Sequence, residues 1–397
     1  MLVAPGQHGR RVAVTAIGVV GPCGIGVDAF WDGLLGTPLD ERERHVPDFD
    51  ATNLFGEKDI RRVDRYTQLA VHAADQAITA AGDLKANPDR IGVIVGTGVG
   101  GLATLEAQII NGHEKGLRRV SPFLVPMMMS NAAAAAISMR WGYQGPCQSI
   151  VTACAAGTHS VTDAARLVAS GRCDIVIGGS SEAPMTPTGV AAFTNMTAMT
   201  KTGLSCPFDA RREGFVIAEG AGILVLEEWD HAVARGAAIL AEILGGASTA
   251  DAHHITAPAP GGSGAIACMQ LALDDAGIRA EDVAHINAHG TSTPLNDAAE
   301  AEAIGKIFGA GGPPVTSTKG VTGHALGAAG SLEAVAAVLS LQKGLIPPTA
   351  GTTAVDPELT QIDLVLGAPR PFEPGPVLSN SFGFGGHNGT LVVGPPG

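Results

Sequence analysis

Aromatic side chains are scarce in this chain: they make up 4% of 397 residues, with two tyrosines and three tryptophans. Charged residues are also few, at 16%, while hydrophobic residues reach 45% and glycine alone numbers 54. That composition excludes a disordered chain and suits small-residue helices packed tightly on a buried sheet. The formal net charge of −13 argues against a nucleic-acid binder. An acidic partner would need a local basic patch. The six cysteines, Cys23, Cys147, Cys154, Cys173, Cys206 and Cys268, include no C-x-x-C pair. Neither a zinc site nor a disulfide framework is expected, and a reduced, cytoplasmic setting is the simplest reading. No apolar signal core is expected at the N-terminus, where residues 6–11 are polar and lead into a strand. One uncharged run, residues 120–139, is long enough to span a bilayer. Pro122, Pro126, Ser130 and Asn131 interrupt it, so a buried helix starting near Pro126 is expected instead.

What the chain does have is alternation. Strands are expected at residues 12–20, 91–96, 174–179 and 220–227, with helices at 27–35, 67–81, 102–111 and from 155, and a polar loop over 36–57. A connecting helix begins at 231. The plan then repeats, with strands at 241–247, 285–289 and 314–317, helices at 264–276, 297–308 and 331–342, and two strands around a glycine-rich loop within 377–393. Strands alternating with helices imply an α/β class with a mainly parallel sheet between helices. Two such halves, residues 1–240 and 241–397, suggest an internal duplication and a layered α/β/α/β/α body.

Cys154 stands where an apolar run ends and an alanine-rich helix pattern begins. A sulfur there meets unpaired N–H groups and the positive end of the helix dipole, and both favour a thiolate. Ala153, Ala155, Ala156 and Gly157 are small enough to admit a substrate carbonyl; a buried structural cysteine is the plainer alternative. Two further glycine-rich turns follow strands and carry His289 and His324. Ligands gather at the carboxyl ends of parallel strands. Each histidine alone reads as structural, but a cysteine and two histidines at three equivalent turns are hard to explain as packing. Gly98, Gly100 and Gly101 lack the rest of a dinucleotide-binding fingerprint.

Four motifs, T-A-C-A-A-G at 152–157, N-A-H-G-T-S-T at 287–293, K-x-x-x-G-H-x-x-G-A-A-G at 319–330 and N-S-F-G-F-G-G-H-N at 380–388, resemble the β-ketoacyl-acyl-carrier-protein synthases. The resemblance runs over residues 11–393 and is to the elongating Cys-His-His branch, of the synthase II type. The initiating branch uses Cys-His-Asn, and thiolases carry a second cysteine where His324 stands. The resemblance implies the thiolase fold and a decarboxylative Claisen condensation. An acyl chain would load onto Cys154, and malonyl-carrier-protein would lose CO₂ and attack it, extending the chain by two carbons. His289 and His324 would donate hydrogen bonds to the enolate oxygen, and the N–H groups of Cys154 and Phe384 would form an oxyanion hole. Lys319 and Glu333 match a buried supporting pair that orients His324. Thr291 and Thr293 would contact the phosphopantetheine arm, Leu105 and Phe193 would line the acyl pocket, and Phe384, flanked by glycines, would gate it. Lys58, Arg61, Arg62, Arg118, Arg119 and Lys201 would dock the acidic acyl carrier protein. The resemblance implies a homodimer and no enzyme-bound cofactor or metal, the substrates arriving on the carrier's phosphopantetheine; no nucleic-acid or membrane partner is expected. One departure is that residues 199–208, beside the expected entrance, form a shorter segment than is usual in synthase II.

Fatty acid elongation is the leading expectation. A ketosynthase of a polyketide or specialised lipid pathway would carry the same motifs. A non-catalytic partner like the chain-length factors would lack the cysteine. A cysteine hydrolase would need a base for water, whereas both histidines look placed as donors.

Overall fold

A computed structural model of the chain describes residues 9–38, 40–359 and 362–397. Within the polar stretch at 6–11, residues 6–8 lie outside the described residues. The first strand, β1 (Val12–Gly21), is buried along its whole length, as a run of apolar and β-branched residues requires when both faces are covered. Four more strands complete the first half: β2 (Ile91–Gly96), β3 (Cys147–Gln148), β4 (Ile175–Glu182) and β5 (Gly220–Glu228). The second half contributes β6 (Ala241–Ala250), β7 (His285–Asn287), β8 (Pro314–Thr316), β9 (Val377–Gly383) and β10 (His387–Gly394).

In space these ten strands run β8-β7-β9-β10-β6-β1-β5-β4-β2-β3, with the two-residue strand Asp363–Leu364 paired outside β8 and Gly24–Ile25 paired with β1. Leaving aside the two-residue strands Asp363–Leu364 and Gly24–Ile25, each half has the same order: its first strand, then its fifth, fourth, second and third. The halves join where β1 pairs antiparallel with β6 through Val12, Ala13 and Val14. The duplication suggested by the element order is thus written into the sheet topology.

Helices α1 (Arg65–Ala81) and α2 (Ala132–Trp141) cover one outer face, against β1, β5 and β2. Helix α4 (Ser263–Ala276) covers the other, on β6 and β10, with α5 (Pro294–Phe308) beside it. Between the two halves lie α3 (Ala156–Ala169) and α6 (Ala329–Lys343), each touching strands of both. The body has five layers, α/β/α/β/α, which is the thiolase arrangement. Helix α6 is buried from Ala329 to Leu341, as expected of a helix apolar on every side. The two central helices meet at their N-termini. A Cβ at Gly157 would lie 2.6 Å from the Ser331 nitrogen, and one at Gly330 would lie 2.5 Å from the Thr158 nitrogen. Only glycine lets the two backbones approach this closely.

The sheet is mixed and not mainly parallel as expected, because β1 pairs antiparallel with β5 and β6, β5 with β4, and β10 with β6 and β9. Three regions also differ from expectation. Residues 120–139 do not form one buried helix but two, Leu124–Met128 and α2, broken at Met129. Val125 and Met139 are 59% and 78% exposed, because only one side of this segment rests on the sheet. The loop over 36–57 contains a short strand, Glu43–Arg44, paired with Ile217–Ala218, and a helix, Thr52–Asp59, interrupted at Gly56. The strand before Cys154 shrinks to β3, because the chain must leave the sheet early to form the turn that carries the cysteine. Among the described residues, no helix is long and apolar enough to cross a membrane.

Gly18 on β1 sits under α1, where an added Cβ would lie 2.0 Å from the Ala73 carbonyl oxygen. The obstacle is backbone, so Gly18→Ala is expected to cost at least about 1–3 kcal/mol. Urea unfolding should show a lower midpoint at unchanged slope; a midpoint equal to wild type would contradict this packing.

Candidate active site

After β3 the chain turns sharply. Ala153 adopts φ 49°, the left-handed region that costs an L-residue energy. Cys154 follows, within a 3₁₀ turn at Ala153–Ala155, and α3 begins at Ala156. The sulfur does stand at a helix N-terminus, but it is buried, at 7% exposure. Burial pushes the Cys154 thiol up to about 12, against the pull of the Lys319 charge and of the N–H groups of Phe384 and Cys154. Desolvation thus works against the thiolate expected from the helix end.

His289 follows β7 and His324 follows β8, both in the second half. His324 Nε2 lies 3.1 Å from Cys154 Sγ. The two imidazoles meet edge to face, with centroids 5.3 Å apart. Burial, reinforced by the Lys319 charge, holds both histidines well below the usual range, so both rings are neutral. A neutral imidazole carries one N–H and can donate to a developing negative oxygen without a net charge of its own. Phe215 packs edge-on against His324 at 5.2 Å and Phe382 against His289 at 5.9 Å, which fixes both rings. One donor atom from each of Cys154, His289 and His324 lies within 4.8 Å of the others. The fold thus gathers a possible metal-ligand trio that sequence spacing did not disclose.

Beneath the site, Lys319 and Glu333 form a buried ion pair. Burial pushes the Glu333 carboxyl up and Lys319 pulls it back. Three further buried groups hold the loops and escaped the sequence reading. Glu300 accepts from the backbone N–H of His289 and of Gly290, both at 2.8 Å. Glu182 accepts from Thr97 Oγ1 at 2.9 Å and Gly327 N–H at 3.0 Å, tying the turn after β2 to the loop after His324. Arg44 donates to the carbonyls of Gly320 and Val321 at 2.9 and 2.7 Å. A buried carboxyl that serves backbone groups of other loops leaves no local motif in the sequence.

A cavity of about 360 Å³ opens onto Cys154, His289 and His324. Thr291, Thr293 and Phe384 line it, and the two threonine hydroxyls lie 2.9 Å apart. Phe384 belongs to the turn between β9 and β10, where Gly385 and Gly386 have φ 83° and 73°, values that require glycine for an unstrained turn. Phe193 is not in the cavity lining; it stacks behind Phe215 with centroids 5.6 Å apart. Leu105, half-buried on the helix Leu102–Lys115, also lies outside the lining. Lys58, Arg61, Arg62, Arg118, Arg119 and Lys201 are all exposed and away from the cavity wall. Arg62 stacks over Phe123 at 4.7 Å, which brings the two basic segments together.

Comparison with known proteins decides the family. The Beta-ketoacyl synthase, N-terminal domain profile matches residues 36–232, and the C-terminal domain profile matches residues 240–353. The chain belongs to the β-ketoacyl synthase family. It is 44% identical to the 3-oxoacyl-[acyl-carrier-protein] synthase 2 of Synechocystis sp., over 96% of this chain and 97% of the relative. The corresponding Staphylococcus aureus (strain COL) synthase is 42% identical, with 97% and 98% covered. Among solved structures, the ishigamide ketosynthase/chain length factor superposes with a TM-score of 0.92 at 32% identity, covering 98% of this chain and all of that one. A beta-ketoacyl synthase from Burkholderia phymatum gives 0.90 at 32% identity, with the same coverage.

The synthase's buried ion pair generates a prediction. Lys319→Met would strand the Glu333 carboxylate, so it should lose about 3–5 kcal/mol of stability. Replacing both Lys319 and Glu333 with methionine should recover much of that loss. A denaturant cycle over the four proteins measures the coupling; additive losses would mean that the pair does not act as a unit.

Proposed function

We infer that this enzyme catalyses the chain-elongating condensation of fatty acid biosynthesis, as a 3-oxoacyl-acyl-carrier-protein synthase of type 2. The observation that carries the reading is His324 Nε2 at 3.1 Å from the Cys154 sulfur, with neutral His289 beside it. In the first half-reaction Cys154 attacks the acyl thioester carbonyl. The C–S bond to phosphopantetheine breaks, and the proton from Cys154 ends on the departing thiol. The N–H groups of Cys154 and Phe384 face the sulfur, which supports a role for them in receiving the tetrahedral oxyanion.

In the second half-reaction malonyl-carrier-protein breaks its bond to CO₂, and the electron pair forms an enolate. His289 and His324 donate to the enolate oxygen. The carbanion then attacks the acyl-Cys154 carbonyl, and the sulfur leaves and regains a proton. Because the carboxylate leaving as CO₂ supplies the carbanion, this route calls for no resident cofactor or metal. Thr291 and Thr293 would hold the pantetheine arm where they line the cavity, and Lys319 with Glu333 would keep His324 in place. Phe384 would gate the acyl pocket, with Phe193 and Leu105 meeting the longer part of an acyl chain once it opens.

The acidic acyl carrier protein is the partner in this reading. Its docking surface would be Lys58, Arg61, Arg62, Arg118 and Arg119, with Lys201. A homodimer is part of the same reading, supported by exposed Ile109, Leu117, Phe123, Val125 and Met139 and by the short edge strand β3. A polyketide ketosynthase would share this chemistry and differ in carrier and pocket. Among the solved neighbours is a type II polyketide ketosynthase, bound to a hexaketide, in complex with its acyl-carrier protein, at 31% identity.

Incubation with a panel of acyl-carrier-proteins, followed by intact mass and peptide mapping, should place the acyl group on Cys154. Cys154→Gln should take up no acyl group and make no product, yet still decarboxylate malonyl-carrier-protein, because both histidines remain. Absent adduct with every chain in folded, reduced protein would defeat the reading. Replacing Arg118 and Arg119 with Glu should weaken carrier binding about tenfold or more at low ionic strength and less at high salt. Equal affinity at low salt would remove this patch from the docking surface.

A further inference from the structure

His159 is a buried histidine that the reaction as described does not use. It lies on α3, five residues beyond the nucleophile, and is 6% exposed. Its ring bridges two segments. Nε2 lies 3.0 Å from the Asn388 carbonyl oxygen, and Nδ1 lies 2.8 Å from the Thr152 hydroxyl. A carbonyl oxygen only accepts, so Nε2 carries the hydrogen and the Nδ1 lone pair accepts from the Thr152 O–H. Burial holds this histidine below its ordinary range, which favours the neutral ring that this arrangement needs.

Both ends of the bridge bear on the site. Thr152 immediately precedes Ala153, whose φ of 49° is the strained step that turns Cys154 into the cavity. Asn388 lies on β10, paired with Phe382 of β9, just beyond the glycine turn that carries Phe384. The ring lies close against that strand: a Cβ on Gly389 would be 3.0 Å from His159 Nε2. The Phe384 turn also touches the nucleophile directly, since a Cβ on Gly383 would be 3.0 Å from the Cys154 nitrogen. Backbone strain of this kind persists only where the surroundings over-determine it. The Thr152–His159–Asn388 bridge is a fixed strut between the strained turn and the hairpin opposite.

We propose that His159 is a positioning residue for the nucleophile: it locks the turn at Thr152 and Ala153 to strand β10, so that the Cys154 sulfur faces His324 and the Phe384 N–H together. The proposal rests on Cys154 being the acylated group. His159 touches neither substrate nor sulfur, and acts through Thr152.

The test is single-turnover acylation of Cys154, read by intact mass, in wild type, His159→Phe, His159→Gln, Thr152→Val and the Thr152→Val/His159→Phe double variant. His159→Phe and Thr152→Val should each slow acylation by between about tenfold and a hundredfold, the effect of a displacement of up to an ångström. The double variant should be no slower than the slower single variant, because both cut one link. Glutamine offers one donor and one acceptor, so His159→Gln should recover most of the rate. A second readout separates positioning from general damage. In the Cys154→Gln background, His159→Phe should lower malonyl decarboxylation less than twofold. Unchanged acylation, multiplicative losses in the double variant, or equal losses in acylation and decarboxylation would each overturn the proposal. Failure of wild type itself to acylate would instead overturn the reading of Cys154. Thr152→Val keeps the test decisive if His159→Phe does not fold.

Discussion

The chemistry of this site depends on the exclusion of water around Lys319 and Glu333. Both side chains are almost wholly buried and meet as an ion pair directly under the catalytic groups. Taking charge out of water is costly, and the cost is tolerable only when the charges are paired. The same dryness penalises charge on the neighbouring groups: it holds both imidazoles well below their usual range and pushes the Cys154 thiol up. The ammonium of Lys319 acts in the opposite direction on anything negative. It pulls the Cys154 thiol back down, and it would favour an oxyanion or an enolate in the same way. A low-dielectric pocket with one anchored positive charge penalises charge at rest and accepts negative charge that forms during reaction.

The duplicated fold explains why the reacting groups meet. Cys154 follows the third strand of the first half, and His324 follows the third strand of the second. Each is succeeded by a central buried helix, α3 or α6, and those helices abut at Gly157 and Gly330. The two residues are therefore topological equivalents brought face to face, which makes a 3.1 Å approach between residues 170 positions apart a consequence of the symmetry. His289 comes from the turn after the second strand of the second half. Its counterpart in the first half is the turn at Thr97 and Gly98, which Glu182 ties to Gly327 in the loop after His324. One half supplies Cys154 and the other both histidines, while the buried Glu182 carboxyl stitches equivalent loops together.

Much of this was legible in the sequence. The strand Ile91–Gly96, and residues 220–226 of the strand Gly220–Glu228, are uninterrupted apolar runs because both faces are covered, and that pattern survives without a structure. The cysteine and two histidines stand out because small residues must surround them to admit a substrate. What stayed hidden depends on partners far along the chain. Residues 149–153 favour a strand, yet the sheet is left at Gln148 so that Ala153 can turn the cysteine inward. The run at 120–139 is apolar without being wholly covered, so its exposed Val125 and Met139 read as core by composition alone. Glu300 and Glu182 look like ordinary acidic residues until the backbone N–H groups they serve are in place. The thiol's protonation could not be read from its helix end, because desolvation acts from every direction while a helix dipole acts only along one axis.

The loop bearing Phe384 joins two tasks that are usually considered apart. Its side chain lines the cavity, while its backbone N–H faces the Cys154 sulfur. Gly383 lies against the Cys154 nitrogen, and Gly385 and Gly386 occupy left-handed conformations that only glycine adopts freely. The loop therefore cannot swing aside to admit a long acyl chain without carrying away one of the donors that face the sulfur. On the proposed reading, opening the loop and receiving the oxyanion would exclude each other. On the same reading, an acyl chain would enter with the loop displaced and react with the loop returned. The return requires a fixed place for the sulfur to meet the donor. A strained alanine turn on the nucleophile side and a glycine turn on the gate side both need an outside reference, and the strands from which they spring are the rigid elements available to provide it.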